Sequence, residues 1–254
     1  MSDMNLHVAC PSIKRGTNIK DIKVPARLRE RYPTGLAWYD EAMGGLGHVP
    51  STVTMLTGMP GTGKSTLLRQ LADAITSKGH ICLLNSGEES LFQVKIGYER
   101  LHLSAGFITG QDYKCQDVID HANSLIKRFP GKQIFVLQDS MQTLDDGKYA
   151  DGGTTAKTPV RCCEMLTEWA KKEYGIVIFI NQSTKGGDYA GKGTIRHMID
   201  AHANIYVDED KKSETHGERL FEVSKNRWGV TGKVFIVDMG ERGLSEKGFF
   251  ARTA

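Results

Sequence analysis

The spacing of hydrophobic residues along the chain predicts strands that alternate with helices. Short apolar runs at residues 52–56, 80–84, 133–137 and 176–180 have the length of buried strands. Between them, apolar residues recur at helical spacing over residues 65–78, 89–101, 117–129 and 163–170. This alternation is typical of an α/β fold in which helices flank a central, twisted and mostly parallel sheet.

The C-terminal part of the chain has a different pattern. Strand-like runs at residues 203–208, 219–223 and 233–238 follow one another without a helical segment between them. We therefore expect antiparallel strands at this end of the sheet. Residues 224–229, Ser-Lys-Asn-Arg-Trp-Gly, are predicted to form the hairpin turn between the last two runs.

Two other segments lack a clear period. Residues 1–33 mix Lys, Arg and Asp and are predicted to be an arm or linker, either a solvated tail or an arm that docks on another subunit. Residues 34–254 are then expected to form one large α/β domain. Residues 183–194 are too glycine-rich for regular structure, so we expect a functional loop there.

A phosphate-binding motif follows the first predicted strand. Residues 58–66, Gly-Met-Pro-Gly-Thr-Gly-Lys-Ser-Thr, fit the pattern G-x-x-x-x-G-K-[ST] between a strand and a helix. The glycines let backbone N–H groups turn onto phosphate oxygens, Lys64 can reach the β- and γ-phosphates, and the Ser65 hydroxyl can ligate Mg²⁺. The predicted nucleotide-binding residues are Gly58, Pro60, Gly61, Thr62, Gly63, Lys64, Ser65 and Thr66.

Polar residues follow three of the predicted strands. Glu88 and Glu89 follow the second, Asp139 follows the third, and Gln182 ends the fourth. The carboxyl ends of parallel strands are where an α/β sheet places its chemistry. An apolar strand that ends in Asp downstream of a phosphate loop predicts a Mg²⁺ ligand, so Asp139 joins Ser65 as a candidate metal residue. Glu89 is better explained as a first-turn acid that favours the dipole of the following helix, which leaves Glu88 as the catalytic candidate.

Composition changes this interpretation little. The formal charge of +3 permits a nucleic-acid partner without requiring one. The five cysteines are odd in number and include no C-x-x-C pair, so neither a disulfide framework nor a zinc site is expected. No apolar run has the length of a membrane span, and the first residues lack the layout of a signal peptide. We expect a cytoplasmic protein with reduced thiols and no membrane partner.

Several motifs agree in order and spacing with one family. They are TGLAWYDEAMGG, GMPGTGKSTLLRQ, SGEES followed by Gln93, Lys95 and ERL, then LQDSMQTL, HMID, SKNRWG and ERGL. On these motifs, residues 34–244 resemble the RecA-type ATPase core of the bacterial RadA (Sms) proteins. FINQ, at residues 179–182, resembles RecA itself. The resemblance implies a RecA-like P-loop fold that hydrolyses ATP with Mg²⁺.

The resemblance also implies roles for particular residues. Glu88 would polarise the attacking water, and Gln182 would sense the γ-phosphate and relay it to the glycine-rich loop of residues 183–194. Lys225 and Arg227 would reach the phosphates of a neighbouring subunit in a homo-oligomeric ring, such as a hexamer, or in a filament. Without the resemblance, two cations on a hairpin turn would be interpreted as a solvated tip.

The glycine-rich loop resembles the DNA-contacting loop of the family. Three basic residues in or beside it, Lys185, Lys192 and Arg196, are therefore candidate contacts to single-stranded DNA. A recombinase or a replication protein is a further candidate partner. The function implied is an ATP-dependent DNA-binding motor or recombination ATPase of helicase or branch-migration type.

The sequence departs from the family in three respects. The four-cysteine zinc module and the protease-like domain of the family are missing from it, and Trp228 stands where the family has Phe. We expect a compact or virus-encoded relative that acts in a bacterial cell. The alternatives are a KaiC-like signalling ATPase that acts on protein partners, and a module that uses ATP only to switch assembly. A small-molecule kinase is less favoured, because no arginine-rich lid follows the phosphate loop.

Overall fold

A computed structural model describes residues 13–14, 16–149, 152–182 and 192–251 of the chain. The helices within these ranges are α1 (Ala37–Ala42), α2 (Lys64–Ser77), α3 (Leu91–Arg100), α4 (Cys115–Arg128), α5 (Thr158–Glu173) and α6 (Lys192–Met198). The strands are β1 (Thr52–Gly58), β2 (Ile81–Ser86), β3 (Ile108–Gly110), β4 (Ile134–Asp139), β5 (Ile176–Gln182), β6 (Ala201–Val207), β7 (Arg219–Asn226), β8 (Lys233–Gly240) and β9 (Gly243–Ala251).

Within the described ranges, nine strands form one sheet in the order β3-β2-β4-β5-β1-β6-β7-β8-β9. Neighbours from β3 to β6 in this order pair in parallel, and the pairs from β6 to β9 are antiparallel. The predicted α/β fold, mostly parallel with antiparallel strands at its C-terminal end, is confirmed.

The register defines two edges of this sheet. Gly58 at the end of β1 lies opposite Gln182 at the end of β5, and Ser86 of β2 lies opposite Asp139 of β4. We call this the carboxyl edge. Strand β7 runs the other way, so its last residue, Asn226, pairs with Ala201 at the start of β6. We call that side the amino edge. The phosphate motif and the Ser-Lys-Asn-Arg-Trp-Gly segment therefore lie at opposite edges.

Helices cover both faces of the sheet. On one face, Leu67 and Leu71 of α2 pack in a buried cluster with Leu56 of β1. On the other face, Met55 of β1 lies in a second buried cluster with residues of α4, α5 and α6 such as Leu166. Successive strand residues point to opposite faces, so both sets of side chains in a central strand are apolar. This explains the continuous apolar runs in the sequence.

Four details differ from the sequence-based expectation. Strands β3 and β9 were not predicted, since β3 is only three residues long and most of β9 is exposed. The prediction of irregular structure for residues 183–194 is wrong for Lys192, Gly193 and Thr194, which begin α6; residues 183–191 lie outside the described ranges. Strand β7 continues through Asn226, so residues 224–226 belong to a strand rather than to the turn.

The described part of the N-terminal segment lies against the domain. The backbones of Tyr32 and His48 exchange two hydrogen bonds of 2.9 Å. The guanidinium of Arg27 lies over the ring of Tyr174, 5.6 Å from its centroid. Among the residues described, no helix has the length and hydrophobicity that crossing a membrane requires.

Candidate nucleotide-binding and active site

The phosphate loop joins β1 to α2 at the carboxyl edge. Gly61 and Gly63 have φ values of +82° and +104°, in the left-handed region that favours glycine. A Cβ on Gly63 would also come 2.5 Å from Met239 Cε, so the Met239 side chain would have to move to admit one. The loop is followed directly by Lys64, the first residue of the 14-residue helix α2. The N-terminus of a helix with inward-turned N–H groups is a favourable site for phosphate.

Lys64 is already held inside this loop. Its Nζ donates hydrogen bonds of 2.8 Å to the carbonyl oxygens of Gly58 and Met59. Burial lowers the pKa of Lys64, while the carboxylates of Asp139 and Glu88 oppose that shift. A cation held only by neutral carbonyls gains stronger, charge-assisted hydrogen bonds when phosphate oxygens replace them.

Ser65 and Asp139 form the second part of the site. The Ser65 hydroxyl lies near the Asp139 carboxylate and favours its charged form. Burial dominates, however, and raises the pKa of Asp139 to about 6, with a further contribution from the negative charge of Glu88. A buried carboxylate beside a hydroxyl fits Mg²⁺, since the positive charge of the cation would offset the free-energy cost of burying the carboxylate's negative charge.

The number of protein ligands also suits this metal. The described residues contain no group of three or more His, Cys, Asp or Glu side chains that could hold a metal ion. Mg²⁺ in nucleotide sites uses one or two carboxylates together with phosphate oxygens and water, rather than a cage of protein ligands. Ser65 and Asp139 are the residues that would hold it, and when bound it would neutralise phosphate charge.

The Glu88 carboxylate accepts hydrogen bonds from residues at the ends of two other strands. Its Oε1 accepts a hydrogen bond of 2.6 Å from Ser140 Oγ and one of 2.8 Å from Gln182 Nε2. The three residues follow or end β2, β4 and β5, whose carboxyl ends lie side by side. Glu88 is therefore a carboxylate fixed in direction beside the Ser65 and Asp139 pair. Ser140 was not singled out by the sequence, since a serine after a strand carries no signal of its own.

Glu89 has a structural role instead. Its carboxylate forms an ion pair with Arg69 of α2, a residue that is itself buried. Helix α3 begins at Leu91 after a capping box at Ser90, so Glu89 precedes the helix and the expected first-turn role is wrong. The ion pair with Arg69 explains its charge.

The side chain of Lys225 is held at the amino edge within its own subunit. Its Nζ donates hydrogen bonds to the carbonyl oxygens of Arg196, at 2.6 Å, and Ile199, at 2.7 Å. These carbonyls lie at the C-terminal end of α6, where a cation is favourable. Burial lowers the pKa of Lys225, and the nearby cation of Arg227 adds to the shift.

Arg227 binds the same end of α6. Its Nη2 donates to the carbonyl oxygen of His197 at 3.0 Å, and its Nη1 lies 3.3 Å from Asp200 Oδ1. Asp200 is buried and also accepts from Val53 N and Lys171 Nζ, at 3.0 and 3.1 Å. The Asp200 anchor was missed by the sequence analysis, although this residue ends the HMID motif.

A chain of polar side chains joins β1, β6 and β7. His202 lies between Thr57 Oγ1, 2.7 Å from its Nε2, and Ser224 Oγ, 2.9 Å from its Nδ1. Burial and two nearby cations lower the pKa of His202 to about 4, so the ring is neutral near pH 7. Since the Thr57 hydroxyl can donate to Asn204 Oδ1 at 3.0 Å, a consistent arrangement has Nε2–H donating to Thr57 and Nδ1 accepting from Ser224. Nothing in the sequence indicated this network.

The three candidate DNA contacts are only partly described. Lys185 lies outside the described residues. Lys192 is the first residue of α6, and Arg196 is an exposed residue of the same helix. The structure thus places two of the three on the helix whose end Lys225 and Arg227 hold.

The fold and these groups define a class of protein. A phosphate loop between β1 and α2, with a carboxylate at the end of a neighbouring parallel strand, is the arrangement of a P-loop nucleotide-binding domain. Most of the chain is similar to a solved structure that is described as an ATPase domain. That likeness has a TM-score of 0.69 and 16% identity, and it covers 81% of this chain and 87% of that one. It shows the RecA-like fold.

Comparison with curated proteins shows which proteins of this class the chain resembles in sequence. The chain is 31% identical to the DNA repair protein RadA of Brucella abortus over 221 residues, which is 85% of this chain and 45% of that protein. It is 32% identical to RadA of Treponema pallidum over 235 residues, 91% of this chain and 48% of that protein. A scan against protein-family models finds no match. The chain spans about half the length of these relatives, and over that region it is similar to RadA proteins.

Proposed function

We propose that the chain is an ATP-dependent DNA-binding motor or recombination ATPase. It hydrolyses ATP with Mg²⁺ at the subunit interfaces of a ring, such as a hexamer, or of a filament, and acts on single-stranded DNA. The observation that carries the hydrolysis is the position of Glu88, which Ser140 and Gln182 hold beside Ser65 and Asp139. The relatives named as DNA repair proteins support the DNA substrate.

Each group at the carboxyl edge has one role in this proposal. The loop amides and Lys64 bind and orient the phosphates. Glu88 orients the attacking water and accepts its proton, because a carboxylate held by two donors keeps a fixed direction. Gln182, bonded to Glu88 at the end of β5, shifts when a γ-phosphate is present and passes that shift into residues 183–191.

The cations of the amino edge act on a neighbouring subunit. Along β1, Thr54 pairs with Ala201, the partner of Asn226, whereas Gly58 begins the phosphate loop. Thr54 and Gly58 are four strand residues apart, which corresponds to about 13 Å along β1. Arg227 therefore lies too far from its own phosphate loop to act there, and head-to-tail assembly brings the amino edge of one subunit to the carboxyl edge of the next.

The present contacts of these cations are compatible with a change of partner. The Arg227 side chain is 49% exposed. Apart from Asp200, the groups that Lys225 and Arg227 bind are neutral carbonyls of α6. A neighbour's phosphates offer stronger charge-assisted bonds. When these cations leave the end of α6, that helix loses the hydrogen bonds that hold it. Because α6 also carries the proposed DNA contacts Lys192 and Arg196, ATP binding at the neighbour can change DNA binding.

The DNA contacts proposed are Lys185, Lys192 and Arg196. We also propose that residues 1–33 are an arm, that residues 34–254 are the ATPase domain, and that the protein works in the bacterial cytoplasm with a recombinase or replication protein. The KaiC-like alternative is not favoured, because the relatives compared above are DNA repair proteins.

The test is the ATPase rate with and without single-stranded DNA, combined with the mass of the particle in the same samples. We expect hydrolysis that DNA stimulates, in particles of several subunits. ATP that is bound and retained without hydrolysis in either condition would favour the assembly-switch alternative. An ATPase rate that is the same with and without DNA would favour the signalling alternative.

A further inference from the structure

An exposed apolar surface lies at the tip of the β7–β8 hairpin. Its residues are Leu46, Trp228 and Val230, whose exposed fractions are 64%, 53% and 70%. The loop of Leu46 and the hairpin are adjacent, since a Cβ built on Gly44 would come 3.0 Å from the Cα of Gly229. We call these three residues the tip surface. Its residue Trp228 directly follows Arg227 in the chain.

A second apolar feature lies beside α3. A cleft of about 340 Å³ is lined by Leu91, Val94, Tyr98 and Phe107, with Lys95 at its side. The rings of Tyr98 and Phe107 meet edge to face with centroids 5.8 Å apart. We call this the α3 cleft. Phe92 and Ile96, on the same helix, are 84% and 63% exposed.

The shared site requires these two features to approach each other. Trp228 follows Arg227, so their Cα atoms are about 3.8 Å apart. Leu91 is three residues after Glu88, so their Cα atoms are at most about 11 Å apart. If Arg227 of one subunit reaches phosphates beside the neighbour's Glu88, the tip surface arrives on the side of the neighbour where α3 begins.

We propose that Trp228 of one subunit docks into the α3 cleft of the next copy of this chain, an inference that rests on the proposed function. The docking fixes Arg227 and Lys225 in register with the neighbour's phosphates. It also covers two apolar surfaces that would otherwise face water in the assembly. Trp228 is then a positioning residue for the trans cations.

The chemistry of the two surfaces is complementary. An aromatic-lined cleft favours an indole, because edge-to-face ring contacts add to the apolar area that Trp buries. The tip surface is flanked by Lys225 and Arg227, whereas α3 follows the carboxylate of Glu88. Opposite charges therefore meet around the apolar contact, which favours this orientation over the reverse.

Tryptophan emission reports this docking directly. Of the three tryptophans in the chain, Trp38 and Trp169 are buried and Trp228 is half exposed. In a Glu88→Gln background, which we expect to retain ATP, emission should shift to the blue as ATP and Mg²⁺ drive assembly. Trp228→Phe removes the shift but still assembles. Trp228→Ala raises the protein concentration needed for assembly about tenfold or more, as loss of a buried aromatic anchor does.

Cross-linking tests the location. Val230→Cys and Phe92→Cys are placed on separate chains in a Cys10→Ser background, since the remaining four cysteines are buried. Both positions are exposed, so neither change disturbs the core. We expect covalent dimers in the mixed sample with ATP and Mg²⁺. Tyr113→Cys, an exposed position that neither belongs to α3 nor lines the cleft, replaces Phe92→Cys as the control and should give none.

The possible outcomes distinguish this docking from the proposed function on which it rests. A blue shift with a cross-link at Phe92 supports the docking. Assembly with ATP in which Trp228 emission stays unchanged and no cross-link forms overturns the docking and leaves the shared site standing. A chain that never assembles, with or without ATP, overturns the shared site and the docking together.

Discussion

Gln182 Nε2 donates a hydrogen bond to Glu88 Oε1 over 2.8 Å and so joins the ends of β5 and β2. Both residues stand at the carboxyl edge, where the phosphate loop also lies. The bond places the amide proposed to sense the nucleotide in direct contact with the carboxylate proposed to orient water. The first prediction follows from this contact.

Glu88→Gln should bind ATP and fail to hydrolyse it. The amide keeps the shape of the side chain but cannot accept the proton of the attacking water, a role worth about 10²–10⁴-fold in rate. Single-turnover hydrolysis and the nucleotide retained after gel filtration measure the two properties separately.

Glu89→Gln is the matched control for Glu88→Gln. Because Glu89 pairs with the buried Arg69, its loss should lower the melting temperature without trapping ATP. If Glu89→Gln trapped ATP and Glu88→Gln turned over normally, the assignment of the two glutamates would be reversed.

Lys64→Ala should abolish hydrolysis and most of the affinity for ATP. The Nζ is the cation held at the phosphate loop by Gly58 and Met59, and the described contacts offer no second cation in that place. Titration calorimetry with ADP and ATP measures the loss. Lys78→Ala, at the exposed C-terminal end of the same helix, removes an equal charge and should bind normally. Wild-type turnover in Lys64→Ala would refute the site.

The Mg²⁺ dependence of nucleotide binding should weaken in acid. With a pKa of about 6, the Asp139 carboxyl takes up a proton below that pH, and Mg²⁺ must displace it. We expect the Mg²⁺-dependent part of ADP affinity to fall up to about tenfold per pH unit below pH 6. Calorimetry from pH 5 to pH 8 checks this trend.

Asp139→Asn supplies the control for the pH experiment, since any trend that remains in it belongs to the nucleotide's own phosphates. The variant should also change stability. The raised pKa means that the folded state binds more protons than the unfolded chain between about pH 4 and 6, so ionisation of Asp139 costs stability as pH rises through that window. Without nucleotide, Asp139→Asn should therefore be more stable than wild type above pH 6. An unchanged pH profile in both measurements would contradict the burial of this carboxyl.

The sequence predicted the parallel core well because its signals are local. The run before Gly58 and the helical spacing after Lys64 depend only on neighbours in the chain, and β1 and α2 appear within two residues of the expected bounds. Strand β9 was missed because much of it is exposed and its residues do not alternate clearly.

The contacts between site residues that are far apart in the chain could not be predicted from the sequence. Lys225 and Arg227 could be placed on a hairpin, but their hold on the end of α6 depends on how β7 pairs with β6. The same applies to Asp200 and His202. The sequence around a buried acid or histidine does not show that its side chain is buried.

Replacing Lys185, Lys192 and Arg196 together with Ala should weaken binding of single-stranded DNA. Each substitution removes one cation that neutralises a phosphate, so the slope of log affinity against log salt should fall by about 0.7 for each of them. Fluorescence anisotropy with a labelled oligonucleotide at several salt concentrations measures this, and ADP binding serves as the folding control. Equal DNA affinity and an equal salt slope in the triple variant would move the DNA site elsewhere.

Subunit mixing tests the central claim, that ATP is hydrolysed at an interface completed by a neighbour. Arg227→Ala keeps the phosphate loop, Lys64→Ala keeps the hairpin, and each should be severely impaired alone, since a trans arginine is worth on the order of a thousandfold or more in rate. In a random 1:1 mixture, about one quarter of head-to-tail interfaces pair the two intact halves. The account predicts ATPase activity well above the sum of the separate variants, in particles that native mass spectrometry shows to contain both. Mixed particles that never exceed that sum, over a range of ratios, would contradict it.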